Sequence, residues 1–343
     1  MRRHLILLSC ILLLIVHLGC GRSATNGTFI PAAQAQGTVD YKALIEAGGI
    51  VMLPAGTLNL DCTSHIVIKR DVVVQGQGFG TTVIRDACPD GDTIVIQSAD
   101  ATVTLENLRI TRAAPATAGS GLHWIGNSTS WYNAPDAGRL FLRKLWVDMS
   151  YNCIVAEGRS AILFIEQSIV EHCVNDGGQF STWASTLHDN WFQFNGGNGV
   201  SFLDGFPQSS TGNEFYFNGG HGVYYKNPSG GNAWHVGDYI DSNRASGLYA
   251  EGLTTFVFND GWIGSNGIAK GTWDDGINNS LPGIEVYGVS YATTFNGNMI
   301  TNNHGPGVVM KNMNQVRAAG NNSAYNLGGC DSINGSCFNL NAQ

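Results

Sequence analysis

The residues best suited to chemistry recur two and four positions after a repeated glycine. If the residues one and three after each glycine point inward in a strand, those two and four after it point outward. This outer face would place tyrosines, carboxylates and lysines on neighbouring strands. Its members are Ser201, Tyr224, Tyr249 and Glu285 in one row, and Leu203, Lys226, Glu251, Tyr287 and Lys311 in the other.

Two reactions suit this face. Glu251 and Glu285 would lie one strand and two residues apart, about 8 Å, which leaves room for a water in inverting glycoside hydrolysis. Lys226 or a tyrosine could instead abstract a proton beside a uronate carboxylate, which would make a lyase. The remaining tyrosines and Lys311 would contact the sugar. The same rows also fit an inert sheet whose charges prevent edge pairing.

A second group of candidates stands immediately before the glycines. It consists of Asp176, Asn198, His221, Ser246, Pro282 and Pro306. Asn, Asp and His before Gly are ordinary turn formers.

A third group lies on the strands that precede a repeated asparagine. One row holds Trp146, Trp191, Tyr239 and Trp262, and the other holds Asp148, Glu171, Gln193, Tyr216 and Asp241. Exposed aromatic residues beside carboxylates can form a platform for sugars, with Trp191 and Trp262 as the principal contacts. A packing surface under a loop would look the same. The sequence does not choose between this face and the first.

A repeat positions all three groups. Asn195, Asn218, Asn243, Asn266 and Asn303 follow one another by 23, 25, 23 and 37 residues, the last step including an insertion over 270–281. A period in the twenties with alternating apolar residues predicts a solenoid of β-coils. Its asparagines would stack as a hydrogen-bonded ladder, and the following glycine would supply a positive φ. A β-propeller would need a longer repeat with a Trp-Asp signature.

The first strands carry a family resemblance. The run Gly48-Gly49-Ile50-Val51-Met52-Leu53-Pro54-Ala55-Gly56-Thr57 and the run Gly76-Gln77-Gly78-Phe79-Gly80-Thr81-Thr82-Val83-Ile84 resemble the first turns of pectate-lyase-like right-handed β-helices. That superfamily includes polygalacturonases, polysaccharide lyases, epimerases and phage tail-spike depolymerases. The resemblance covers about residues 37–326. It implies the fold and leaves the reaction open.

Polygalacturonase motifs are only partly present. Asn175-Asp176-Gly177 is similar to the first motif, and Gly220-His221-Gly222 matches the third, so the resemblance implies that Asp176 and His221 are candidate catalytic residues. Gly197-Asn198 replaces the acidic pair, and Leu248-Tyr249-Ala250 replaces the basic pair. An inverting hydrolase needs two carboxyl groups, and this column offers only Asp176. The resemblance therefore does not extend to ordinary polygalacturonase activity.

The N-terminus predicts export. Basic residues precede an apolar run over 5–16 that is of signal-peptide length, so 1–19 is expected to be a signal peptide. Leu18-Gly19-Cys20 resembles a lipoprotein signal with Cys20 as the lipidated residue, although His17 departs from the pattern; cleavage nearby is the alternative. Residues 20–36 would form a tether, 37–326 the β-helix and 327–343 an end cap. Asp40 would cap a short helix that covers the open core.

Composition supports an oxidising compartment and limits the partners. Of eight cysteines, six remain after the signal segment, and Cys62 with Cys88, Cys153 with Cys173 and Cys330 with Cys337 are the natural pairs among fifteen possible pairings. No spacing indicates a metal site. With a net charge of −8 and no basic cluster, a nucleic-acid partner is not expected. Aromatic residues in loops 113–137 and 270–281 could form walls beside a glycan.

These patterns together predict an all-β protein, a right-handed parallel β-helix with a short N-terminal capping helix. It would be a secreted protein or an outer-surface lipoprotein that binds a polysaccharide and processes it as a lyase or glycoside hydrolase. The alternative is a non-catalytic glycan-binding module, adhesin or scaffold. The sequence leaves the cofactor and the oligomeric state unknown.

Overall fold

The chain folds into a right-handed parallel β-helix of about 11 turns. The computed structural model describes residues 39–98, 100–126, 138–227, 230–268 and 281–337. The expected signal peptide, tether, Cys20 and loop 270–280 lie outside the described residues, as do residues 127–137 of the other loop. Each turn contributes one strand to each of three parallel sheets, and the successive strands of a sheet lie on successive turns.

The first sheet carries the outer face predicted from the glycine repeat. Its strands are Ile66–Ile68, Ile94–Ile96, Ser120–Ile125, the first parts of Asn152–Glu166 and Gly178–His188, then Val200–Asp204, Val223–Lys226, Leu248–Glu251, Ile284–Tyr287, Val308–Lys311 and Ser332–Ile333, with Ser336–Cys337 paired antiparallel at the end.

The second sheet follows in each turn, and four long strands bend around a corner of the solenoid to serve two sheets. The second sheet contains Gly49–Met52, Val72–Gln75, the first parts of Thr102–Arg112 and Arg139–Asp148, the second parts of Asn152–Glu166 and Gly178–His188, then Gln208–Thr211, Asn232–Val236, Thr255–Asn259, Ala292–Asn296 and Val316–Ala319.

The third sheet completes the turn. It contains Gly56–Leu60, Thr82–Asp86, the second parts of Thr102–Arg112 and Arg139–Asp148, then Ile169–Glu171, Trp191–Gln193, Glu214–Tyr216, Tyr239–Asp241, Trp262–Gly264, Met299–Thr301 and Asn322–Ala324.

The core is a column of inward side chains that stack from turn to turn. Phe192 and Phe215 stack with ring centroids 5.4 Å apart, and Phe202 and Tyr225 stack at 4.7 Å. The only helix among the described residues, Tyr41–Ala47, buries Ile45 over the open end, and the Asp40 side chain accepts from Ala43 N at 3.0 Å. The capping helix and its cap therefore form as the sequence predicts.

Three disulfides join the pairs that the spacing suggested: Cys62–Cys88, Cys153–Cys173 and Cys330–Cys337. Cys153 and Cys173 are buried, with Cα atoms 5.6 Å apart. The last bond holds the final hairpin, which lies on the first-sheet strand Val308–Lys311.

The asparagine ladder is continuous where the first and third sheets meet. Each side-chain amide donates to the next Asn Oδ1, as from Asn195 to Asn218 at 3.0 Å and from Asn218 to Asn243 at 2.9 Å. A second ladder, which the sequence repeat did not indicate, runs between the second and third sheets. Its members are Asn190, Asn213, Asp238, Asn298 and Asn321.

The prediction that the glycine after each ladder asparagine supplies a positive φ is wrong. The left-handed residue is the one just before each ladder asparagine, such as Phe194 with φ 54° and Phe217 with φ 60°. The repeated glycines are needed for close packing, because a Cβ on Gly199 would lie 2.8 Å from Asn218 Nδ2. The amide of the ladder thus occupies the space where any other residue would place its side chain.

Candidate functional site

The outer face of the first sheet brings the predicted rows into register. Ser201, Tyr224, Tyr249, Glu285 and Val309 stand opposite one another on five successive strands. The second row is Lys226, Glu251, Tyr287 and Lys311. The inward positions between them are buried, so the alternation fixes which side chains face outward.

Two tyrosines and two glutamates form a cluster on two neighbouring strands. Tyr249 Oη donates to Glu251 Oε2 at 3.2 Å, and Tyr287 Oη donates to Glu285 Oε2 at 2.9 Å. The two rings lie 5.6 Å apart. Glu251 is one strand and two residues from Glu285, a diagonal relation that typically spans about 7–8 Å.

The glutamates differ in exposure. Glu251 is exposed, whereas Glu285 is only 9% exposed and its Oε1 accepts a hydrogen bond from Ser246. Glu285 and Ser201 point away from the core but are covered by their neighbours, contrary to the expectation that both face solvent. The carboxylates therefore form one accessible group and one sheltered group.

The tyrosines remain neutral hydroxyl donors. Burial and then the nearby Glu251 raise the pKa of Tyr249 to about 12. Burial and the hydrogen bond to Glu285 raise the pKa of Tyr287 still further. A phenol that holds its proton this firmly acts as a hydrogen-bond donor at neutral pH, which agrees with the bonds to Glu251 and Glu285.

His221 adjoins this cluster on the preceding turn. Its ring lies 5.5 Å from Tyr224 and 5.3 Å from Tyr249, and the two tyrosine rings are 5.3 Å apart. Burial lowers the pKa of His221, although Glu285 and Asp176 act in the opposite direction. Nδ1 is buried and has no hydrogen-bond partner among the described residues. The His221 imidazole is therefore packed between tyrosine rings, and its lowered pKa favours the neutral form.

Both carboxylate oxygens of Asp176 accept hydrogen bonds from residues in or next to the turn. Its Oδ1 accepts from the backbone N of Asn198 at 2.7 Å, and its Oδ2 accepts from Ser201 Oγ at 2.7 Å and from Gln179 Nε2 at 3.2 Å. On the next turn Asn198 Oδ1 makes the equivalent bond to the backbone N of His221 at 2.7 Å. The shared geometry favours the turn-forming role of this column over a catalytic one.

Two lysines flank the cluster along its exposed row. Lys226 lies opposite Glu251, and Lys311 lies opposite Tyr287. The Lys311 ammonium is 5.7 Å from the Tyr287 ring centroid. Both lysines are exposed and could meet a carboxylate on a bound chain.

The third sheet presents the predicted aromatic stripe in interrupted form. Trp191 is 44% exposed and Trp262 is 39% exposed, with Glu214 and Tyr239 between them in the row. Tyr239 and Trp262 lie 5.6 Å apart. The stripe is not wholly apolar, because Glu214 interrupts it and Asp241 lies in the neighbouring row of the same sheet.

At its N-terminal end, the third sheet has a cleft that the sequence did not reveal. Arg109 lies opposite Trp146 and forms an ion pair with Asp148. Arg109 belongs to a turn before the asparagine repeat begins, so no sequence period connects it with Trp146.

Among the described residues no group of three or more His, Cys, Asp or Glu could hold a metal ion. In the same residues no helix is long and apolar enough to span a bilayer.

Solved structures share this fold. The A-module of a mannuronan C-5 epimerase from Azotobacter vinelandii is 18% identical, with coverage of 86% of this chain and 94% of that one and a TM-score of 0.59. The enzymatically active domain of tailspike protein 2 of bacteriophage CBA120 is 14% identical, with 76% and 41% covered and a TM-score of 0.58.

DFA-IIIase from Arthrobacter chlorophenolicus A6, without its lid, is 13% identical, with 82% and 80% covered and a TM-score of 0.50. At these identities the likeness establishes the right-handed parallel β-helix alone. No protein-family model matches the chain, and no curated protein sequence matches it.

Proposed function

We propose that this is an exported carbohydrate-active protein that binds a glycan along the outer face of the first sheet and hydrolyses it. The observation that carries the proposal is the cluster of Glu251, Glu285, Tyr249 and Tyr287 on two adjacent strands. It supplies two carboxyl groups at the diagonal spacing that suits an acid and a base with a water between them. The fold neighbours named above, among them a mannuronan epimerase, support a carbohydrate as the partner.

Glu251 and Glu285 would have different roles in hydrolysis, because they differ in exposure and in hydrogen bonding. Glu251 is exposed and can touch the glycosidic oxygen of a bound chain directly. Glu285 is sheltered, and the hydroxyls of Ser246 and Tyr287 fix the orientation of its two oxygens. The rings of Tyr224, Tyr249 and Tyr287 and the side chain of Lys311 would line the sugar path.

Site-directed variants test the hydrolase. Glu251→Gln and Glu285→Gln should each reduce turnover at least about a hundredfold while the protein still folds, because acid–base catalysis contributes about 10²–10⁴. Glu214→Gln on the third sheet is the matched control and should retain full activity. Release of reducing ends from a panel of neutral and uronate polysaccharides is the assay. Unchanged turnover in both glutamine variants would remove this site.

A lyase is the second candidate, and the exposed row supports it. Lys226 and Lys311 bracket Glu251 and Tyr287, so the Lys311 ammonium could neutralise a uronate carboxylate while Lys226, in its neutral amine form, removes the neighbouring proton. A lyase would generate the absorbance of an unsaturated product, and Lys226→Met would abolish it. Glycan retention without either product would instead identify a non-catalytic binding protein, adhesin or scaffold.

Three disulfides support export, because such bonds persist in oxidising compartments. Attachment to a membrane would depend on a lipid at Cys20. Cys20→Ala should then release the protein into the medium, which fractionation of expressing cells would detect. Equal distribution of the wild-type and Cys20→Ala proteins would reject the lipid anchor.

A further inference from the structure

The cleft at the N-terminal end of the third sheet is a feature that the first-sheet site does not explain. It has a volume of about 580 Å³, and its lining includes Arg85, Arg109, Trp146, Asp148 and Glu171. These residues come from four successive turns of the third sheet, so the cleft is built by stacked strands. Because it lies on a different sheet, it is separate from the Glu251–Glu285 cluster.

Three polar atoms that belong to residues of the lining have no hydrogen-bond partner among the described residues. They are Arg109 Nε, Trp146 Nε1 and Asp148 Oδ1, and all three are buried. Asp148 is only 3% exposed. A buried polar atom left unpaired costs about 1–3 kcal/mol, so three of them in one cleft point to a ligand that pairs them.

Contacts with neighbouring side chains hold Arg109 and Trp146 in position. The Arg109 guanidinium lies over the Trp146 ring, with Cζ 3.9 Å from the centroid, and also forms an ion pair with Asp148. Phe79 meets the same indole edge-on, with ring centroids 6.2 Å apart. Arg112 is not available to a ligand, because backbone carbonyls such as Cys88 O at 2.8 Å occupy its guanidinium.

The three unpaired atoms include both donors and an acceptor, and this limits the kind of ligand that can pair them. Arg109 Nε and Trp146 Nε1 can only donate, whereas Asp148 Oδ1 accepts. A carboxylate or phosphate would satisfy the donors but would face the Asp148 carboxylate with a like charge. A sugar hydroxyl both donates and accepts, so neighbouring hydroxyls of one sugar unit can pair all three atoms.

We propose that the Arg109–Trp146–Asp148 cleft is a second glycan-binding site, which holds a neutral sugar unit through its hydroxyls. It would anchor a chain without cleaving it. The site stands on its own contacts and does not require the first-sheet cluster to be catalytic. A protein with both sites would hold its substrate at two places on different faces of the solenoid.

Nuclear magnetic resonance of the indole N–H groups tests this site directly. The chain has eight tryptophans, and Trp146→Phe assigns the Trp146 signal by its loss. Cellotetraose, maltotetraose, mannotetraose and a β-1,4-linked galactotetraose are the neutral probes, and trigalacturonate is the anionic one. At least one neutral probe should shift the Trp146 signal and leave the exposed Trp191 signal, assigned with Trp191→Phe, unmoved.

Asp148→Asn should weaken that binding about tenfold or more when the Trp146 signal is titrated, because a hydrogen bond to a charged group is lost. Asp241→Asn, in the same row farther along the sheet, is the matched control and should leave the dissociation constant unchanged. Glu285→Gln should also leave it unchanged, which separates this site from the proposed hydrolase. A Trp146 signal that no neutral probe moves, or that only trigalacturonate moves, overturns the proposal.

Discussion

His235 Nδ1 is joined to Asp238 Oδ2 by a hydrogen bond of 2.6 Å inside the core, where both side chains are fully buried. Asp238 stands at an asparagine position of the second ladder and accepts from Asn213 Nδ2 at 3.2 Å. On the other side of the imidazole, Tyr225 Oη lies 2.7 Å from His235 Nε2. The carboxylate in the ladder and the histidine in the aromatic stack therefore depend on each other.

Replacement of His235 by Phe should destabilise the protein. The ring would continue the stack of Phe258 and Phe295, which occupy the same row on the next two turns. It would nevertheless leave the Tyr225 hydroxyl and the Asp238 carboxylate without their partner. We expect a loss of about 3 kcal/mol in the free energy of unfolding, measured with urea.

The double variant His235→Phe, Asp238→Asn separates polarity from packing. The Asp238→Asn change would place an amide at this ladder position, and an amide does not need the imidazole as a partner, so most of the lost stability should return. If the double variant is no more stable than His235→Phe, the cost comes from the shape of the phenyl ring and the interdependence of the pair is refuted.

Asn218→Ala should interrupt the first ladder at its centre. Asn218 Nδ2 donates to Phe192 O at 3.0 Å and to Asn243 Oδ1, while its Oδ1 accepts from Asn195. Because several buried groups lose partners together, the free energy of unfolding should fall by about 3 kcal/mol. Asn314→Ala, which removes one exposed hydrogen bond, should cost less than about 0.5 kcal/mol. Equal losses in the two variants would contradict the ladder's role.

The repeat predicted the fold because each turn must bury the same apolar face against the next. The period between Asn195 and Asn243 placed the strands, their register and the outward rows correctly. The second ladder escaped detection because its residues vary: Asn213 is followed one turn later by Asp238 and then by Gly261, which donates its backbone N to Asn298. A position that tolerates three residue types gives no repeat in the sequence.

Gly222→Ala should be far more harmful than Gly237→Ala. A Cβ on Gly222 would lie 2.7 Å from both Asn243 Nδ2 and Ile240 Cγ2, so about 3 kcal/mol or more of stability should be lost. Gly237 has φ +66° and open space around it, so alanine there meets only the backbone cost of about 1 kcal/mol. Thermal unfolding of the two variants measures the difference. The opposite order would contradict close packing as the reason for the repeated glycine.

The candidate site was only partly predictable. Alternation placed Glu251 and Glu285 on one face, because side-chain direction follows from strand geometry alone. Alternation could not show that Ser246 shelters Glu285 or that Asp176 is consumed by the turn, since both depend on contacts between successive turns. Arg109 was missed for a similar reason: its partners lie one turn away in a region without an asparagine repeat.

Asp92 and His123 should make stability depend on pH. His123 Nδ1 lies 2.9 Å from Asp92 Oδ2, and that hydrogen bond raises the pKa of His123 above its ordinary 6.5, with Glu157 adding to the rise. Burial would raise the pKa of Asp92, but the bond to His123 and the bond from Ser120 N outweigh it and hold that pKa below 3.8. The pair is charged and attractive between the two values.

The raised histidine pKa means that its share of stability is complete below about pH 6.5 and disappears as the pH rises through the folded-state value. The lowered aspartate pKa means that its share is complete above about pH 4 and disappears as the pH falls through its folded-state value. The melting temperature of the wild type should therefore exceed that of His123→Gln most between about pH 4 and 6.5, and the two should converge by about pH 9. His65→Gln, which changes an exposed histidine, should follow the wild type throughout. A constant difference between wild type and His123→Gln across this range would show that His123 acts through packing instead of charge.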